Sequence, residues 1–213
     1  MAKSNKCPLC DNRKAKRWCP AKATEICSVC CGTKREVEID CPADCVYLHA
    51  GREYESERLN RTQTPQPLTR RLWEDHFLAR HYGVLQGMWR IIVAEREASP
   101  ELVDSDVAAV VEALIQSYRT LEKGIYYDSL PDSFLQRDLF LKLKEFLDPP
   151  RPSDAATPPL KTSAILDCLQ FQKEFISTST LPKPRSRGFL DNLRKEVARS
   201  QAEPETERRI ILP

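Results

Sequence analysis

No stretch of this chain approaches the ~18 consecutive apolar residues that a membrane-spanning helix requires. Its start, MAKSNKCPLC, carries basic residues with no apolar run behind them, so it does not read as a secretory signal. A cytoplasmic location is the resulting expectation. Absent too are HExxH, the P-loop, GxGxxG and GxSxG, the spacings by which a sequence announces hydrolytic zinc, phosphate cradles, dinucleotide sites or a nucleophile elbow. No internal repeat and no long heptad run is present, which sets aside solenoids and coiled coils. An excess of one charge is also missing: the formal net charge over 213 residues is +2. Large apolar side chains are scarce in the first fifty residues, where Leu9, Trp18, Ile26, Val29, Val37, Ile39 and Val46 are the main ones. So few cannot fill an independent core, and such a segment needs a metal or a docking surface to stay folded.

What that segment does have is thiols. Eight of nine cysteines, Cys7, Cys10, Cys19, Cys27, Cys30, Cys31, Cys41 and Cys45, fall within the first 45 residues, and Cys168 stands apart. In a reducing compartment such a cluster holds metal rather than disulfides. Two C-x2-C pairs, and a C-x3-C continued by x3-His to His49, supply ligands for two tetrahedral zinc sites with one to spare. A CxxC turn aims two sulfurs at one ion, and adjacent cysteines at 30 and 31 diverge toward two. The expected ligand sets are Cys7, Cys10, Cys27 with Cys30 or Cys31, and Cys19, Cys41, Cys45 with the other, His49 being in reserve. Four-thiolate sites leave no open coordination position, so the two Zn2+ ions are expected to be structural.

The run WCPAKATEICSVCC resembles the HIT and MYND zinc fingers. This resemblance implies an interleaved cross-brace: Cys7 and Cys10 match the first pair, Cys19 starts the second, Cys27 and Cys31 match the third, and Cys41 and Cys45 the fourth. Lys22 stands where that pattern has its remaining cysteine, and an ammonium is no zinc ligand. Treble-clef and B-box modules use nearly the same spacing, and the segment CCGTKR is similar to that of a bacterial group of helical proteins, which brings no activity with it. The fingers resembled contact mostly peptides and partner subunits, so the resemblance implies a protein-interaction adaptor or regulatory factor.

The rest of the chain reads as helical. REVEID (35–40) alternates like a short strand, and CPADCVYLHAGREYESER like a helix with Pro42 in its first turn. Residues 60–69 form a proline-bearing linker. Helical stripes follow: Trp73, Phe77, Leu78, Leu85, Met88, Trp89 and Ile92; Val107, Val110, Val111, Leu114, Tyr118 and Leu121; Leu135, Leu139, Leu143, Phe146 and Leu147; Ile165, Leu169, Gln172 and Ile176, with Cys168 alongside. Asp104 or Ser105 is the candidate cap of the second stripe and Gly124 its stop. A weak helix is expected around Phe189 to Val197. The fold class expected is therefore mainly α: a two-zinc module with a short strand or hairpin at 1–50, a helix extension and linker at 51–69, a bundle of about four helices at 70–178, and a weakly helical or disordered tail at 179–213 ending in IILP.

His76 and His81 are five apart and share no helix face, and the nearby Glu74 and Asp75 do not complete a Glu-x-x-His pattern. They read as solvated or core-edge side chains, and no enzyme is expected. Nucleic-acid binding is the alternative to the adaptor. Arg13, Lys14, Lys16 and Arg17 lead into Trp18, an arrangement suited to phosphate contact and base stacking. No membrane partner and no small-molecule substrate is evident.

Overall fold

The computed structural model describes residues 6–62, 75–149, 160–180 and 183–202. Of the linker expected at 60–69, residues 60–62 continue a helix and 63–69 lie outside the described residues, as do Trp73, residues 150–159, the IILP tail and the side chain of His76. The chain divides into two compact units, Met1–Arg71 with Leu181–Arg187, and Leu72–Thr180 with Gly188–Pro213.

In the first unit, β1 (Arg17–Cys19) and β2 (Thr24–Ile26) form an antiparallel hairpin, with Trp18 opposite Glu25 and Cys19 opposite Thr24. A single 3-10 turn at Pro20–Lys22 closes it, its end relaxed by Ala23 in the left-handed region at φ 48°. Helix α1 (Ser28–Lys34) follows, then α2 (Val46–Thr62). The large aliphatic side chains fully buried here are Ile26, Ile39 and Leu48.

REVEID is not a strand. The amides of Val37, Glu38 and Ile39 all donate to the Lys34 carbonyl at 2.9–3.2 Å, so the segment coils tightly past the end of α1. Glu36 sits at φ 57°, and the alternation runs opposite to that of an apolar-in strand: Glu36 is 1% exposed while Val37 faces solvent. Charge pairing overrides hydrophobicity at this point. The Glu36 carboxylate lies against Arg52 of α2 at 2.5 Å. The helix expected from Cys41 starts later, because Cys45 occupies its N-terminal boundary and its carbonyl accepts from Leu48 and His49.

The second unit is α3 (Asp75–Ala98), α4 (Asp104–Glu122), α5 (Phe134–Leu147), α6 (Thr162–Ser179) and α7 (Gly188–Ala202). The expectation of about four helices is corrected: six, α2–α7, follow the cysteine-rich segment among the described residues, and α1 makes seven. Helix α1 has only seven residues; α2 buries Leu48 among its described side chains, and α7, expected as a weak helix, buries Phe189, Leu190, Leu193 and Val197. Helix α4 packs on α5, α6 and α7, and α3 on α5, α6 and α7, so the buried stripes converge on one core. Gly87 of α3 permits the approach of α5: a Cβ there would fall 2.1 Å from the Phe146 ring. Within the core, Trp89 Nε1 donates to Gln172 Oε1 at 2.8 Å, which satisfies an indole that would otherwise be stranded. Among the described residues no helix is long and apolar enough to cross a membrane.

The sequence points to Gly124 as the stop of α4 and to Asp104 or Ser105 as its cap, whereas Val103 holds the N-cap position. Gly124 ends α4 as expected, at φ 81°, with its own N–H on Leu121 O and that of Ile125 on Thr120 O, a Schellman closure. Asp104 does something else. Asp106 reaches back to the Val103 N–H at the start of α4, while the Asp104 carboxylate, 0% exposed, accepts from the amides of Phe189 and Leu190, both at 3.1 Å. It caps α7 from another helix. Asp104→Ala is expected to cost about 2 kcal/mol in urea unfolding of the full chain, since two buried amides lose their acceptor. A loss under about 0.5 kcal/mol, the level of an idle surface change, would contradict that role.

Candidate metal centre

Cys7 and Cys10 flank a tight turn. The Cys7 carbonyl accepts from Cys10 and Asp11 at 3.3 and 2.8 Å, and Asp11 takes a left-handed φ of 48° to turn the chain back. Cys7 N–H closes the loop on the Arg13 carbonyl at 2.8 Å. The other pair comes from the start of α1. Cys27 is its N-cap, its sulfur accepting from the Cys30 amide at 3.3 Å, and Cys30 lies in the first turn. The hairpin between the two pairs sets their separation.

The Sγ atoms of Cys7, Cys10, Cys27 and Cys30 all lie within 4.8 Å of one another. A zinc tetrahedron with Zn–S near 2.3 Å has sulfur–sulfur edges of about 3.8 Å, and Cys10 and Cys27 sulfurs stand 4.0 Å apart. That is far from the ~2.05 Å of a disulfide, and all nine cysteines are free. The four thiols fit one Zn2+ ion. The surroundings favour the ionised form that a metal needs: the amides of Arg13 and Asn12 hold Cys10 down at about 6, and the Cys30 amide lowers Cys27. Cys30 moves the other way, to about 12, because burial and then the neighbouring sulfurs oppose a further thiolate. A divalent cation would relieve that opposition.

The remaining expected ligands are placed as follows. Cys19 ends β1, and Cys31 follows Cys30 on α1; both are buried in the same apolar cluster as the first set. Cys41 and Cys45 are half-buried on either side of a turn closed by Cys45 N–H on Pro42 O. Burial raises the Cys41 thiol, the Glu36 backbone N–H lowers it, and Cys45 and Cys19 raise it further. Cys45 and Cys19 thus lie near enough to act on Cys41, but among the described residues the first set alone gathers its ligand atoms within 4.8 Å of one another. The pairing of Cys27 with Cys31 implied by the zinc-finger resemblance is not seen; Cys30 completes that group. His49 and Lys22 are exposed. Cys168 is a core residue of α6, its thiol pushed to about 11 by burial. His81 stacks on Phe77 with ring centroids 4.8 Å apart.

Sequence reasoning missed Glu36 and the run Lys183–Arg187, which clusters with the first unit. Their signal, an acid alternating with valine and a basic stretch far downstream, resembles ordinary surface. Comparison with protein-family models, with curated proteins and with solved structures finds no match to this chain.

Native mass spectrometry separates the neighbouring cysteines. Cys30→Ser is expected to lose the ion of the Cys7 group, whereas Cys168→Ser keeps the wild-type metal content. Acid should release the ion as well, because protons compete with it for the four thiolates, so retention falls as pH drops. Full retention in Cys30→Ser, or metal unaffected at pH 4, would contradict the assignment.

Proposed function

We propose that this is a zinc-stabilised binding protein, a protein-interaction adaptor rather than an enzyme. Its metal is structural, because four thiolates around one ion leave no position for substrate or water. Reduced thiols throughout suit a reducing cytoplasm. A second zinc held by Cys19, Cys31, Cys41 and Cys45 extends the reading. It is supported by the cluster that Cys19, Cys31 and Cys41 share and by the effect of Cys45 and Cys19 on the Cys41 thiol. The order of turn, hairpin and helix N-terminus in the first site is closer to a treble clef than to the other modules the sequence resembles.

One observation favours a protein partner above the alternative. The connection from α4 to α5 leaves Ile125, Tyr126, Tyr127, Leu130 and Phe134 exposed within ten residues, Tyr126 at 89% and Phe134 at 85%. Isolated surface apolar residues are ordinary, but a concentration rich in aromatics is how protein interfaces differ from other surface. The loop is held at its base, with the Ser129 amide donating to buried Ser117 Oγ at 2.9 Å and Lys144 paired to Asp128. Its aromatic side chains are therefore presented on a fixed support, which lowers the entropy cost of binding.

Nucleic acid remains a second reading because Trp18 is 57% exposed rather than part of the module's core, and Arg13, Lys14 and Lys16 are exposed around it. Arg17 is engaged over the Tyr47 ring at 4.8 Å. The two readings separate by experiment. The adaptor predicts a protein retained from host extract by the wild type and lost from Tyr126→Ser/Phe134→Ser, with metal content unchanged. Nucleic acid predicts instead an affinity for generic DNA or RNA that falls steeply with salt and vanishes on charge reversal of Arg13, Lys14 and Lys16. Equal retention by wild type and variant would remove the support for the 125–134 surface.

A further inference from the structure

The first unit contains an acidic face built from two stretches of chain, Glu36 and Asp40 beyond α1 and Glu55 on α2. Each of its carboxylates meets a cation from one short segment. Lys183 Nζ lies 2.9 Å from both Glu55 oxygens and 3.7 Å from Glu36 Oε2, and Arg187 pairs with Asp40. The backbone takes part too, with Arg185 N–H donating to the Glu36 carbonyl at 2.9 Å. The segment has no helix or strand of its own, only a turn closed by Ser186 N–H on Lys183 O at 3.1 Å. Ser186 and Arg187 are nonetheless buried.

Glu36 is central to this. Arg52 bonds to its Oε1 through Nε and a terminal nitrogen, while the buried Oε2 has no hydrogen-bond partner and faces Lys183 as an ion pair. A buried carboxylate with one acceptor committed to the scaffold and the other kept for an arriving cation is a receptor group. Side-chain ion pairs spaced along an extended or turned peptide, plus a main-chain hydrogen bond, are how basic motifs are read by acidic surfaces.

We propose that the Glu36, Asp40 and Glu55 face is a docking site for a short basic peptide of the pattern Lys-x-Arg-Ser-Arg, filled in cis by Lys183–Arg187. The site deepens the adaptor reading, on which it rests for the existence of a protein partner, and it names that partner's chemistry. The resident segment acts as a tethered competitor. Its effective concentration is on the order of millimolar, so a peptide in trans binds the wild type poorly and gains access when the cis contacts are broken.

The test titrates a fluorescein-labelled peptide, Pro-Lys-Pro-Arg-Ser-Arg-Gly, into the zinc-loaded full chain by anisotropy. Lys183→Glu/Arg187→Glu, checked for wild-type metal content and circular dichroism, is expected to bind the peptide at least about tenfold more tightly than the wild type does. Adding Glu55→Lys should reverse that gain, and binding should weaken with salt. Should the double variant not fold, hydrogen exchange of the Arg185 amide in the wild type replaces it: millimolar peptide is expected to speed exchange by displacing the segment. No gain in the cis-broken variant, a gain indifferent to Glu55→Lys, or Arg185 exchange unmoved by peptide would each overturn the proposal and mark the segment as a permanent structural piece. None of these results bears on capture through residues 125–134, so the adaptor reading stands or falls separately.

Discussion

Four sulfurs held at one point are what the first unit depends on. Among its described residues Ile26, Ile39 and Leu48 are the fully buried aliphatic side chains, too little apolar burial to offset the ordering of that many residues at about 1–2 kcal/mol each. A structural zinc contributes about 10–16 kcal/mol in small modules, and it does so only if its ligands converge. The convergence here is local and inexpensive: a backbone turn fixes Cys7 and Cys10, and the first turn of α1 fixes Cys27 and Cys30. Amides of the same turns, Arg13 and Asn12 at Cys10 and Cys30 at Cys27, favour the thiolates.

Charge continues what the metal begins. Beyond α1 the chain turns Glu36 inward at a left-handed φ, an unfavourable conformation for a residue with a Cβ, and the compensation is electrostatic. Its backbone N–H acts on the Cys41 thiol, its carbonyl holds Arg185, and its carboxylate meets Arg52 and Lys183. One residue thus joins the later cysteines to a segment almost 150 positions away. The second unit is built differently, on an apolar core in which Trp89 bonds to Gln172 and Asp104 to the first amides of α7.

Several parts of this could be read from the sequence, for identifiable reasons. Cysteine spacing carries geometry directly, so the Cys7 group was legible apart from the choice between adjacent Cys30 and Cys31, which depends on where α1 begins. The stripes of α3 to α6 were legible because burial there follows a helical period. REVEID failed because alternation reports a strand only when the apolar positions are the buried ones, and here ion pairing buries Glu36 and exposes Val37. Asp104 looked like a cap and is one, but for a helix 85 residues downstream, a partner no local pattern encodes. The helix count fell short because α1 is only seven residues long and because α2 and α7, whose helical character the sequence does suggest, lie outside the four long stripes.

The functional picture that follows is of a metal-fixed unit with an acidic face, and a helical unit that presents aromatic side chains on a braced loop. The first of these depends on the cysteine cluster holding metal as its geometry implies. Zinc K-edge X-ray absorption on the full chain reads that most directly. The account predicts a scattering shell of four sulfurs per zinc near 2.3 Å with no nitrogen or oxygen component. A shell containing imidazole nitrogen, which would bring in His49, or a protein that folds fully without zinc, would contradict it.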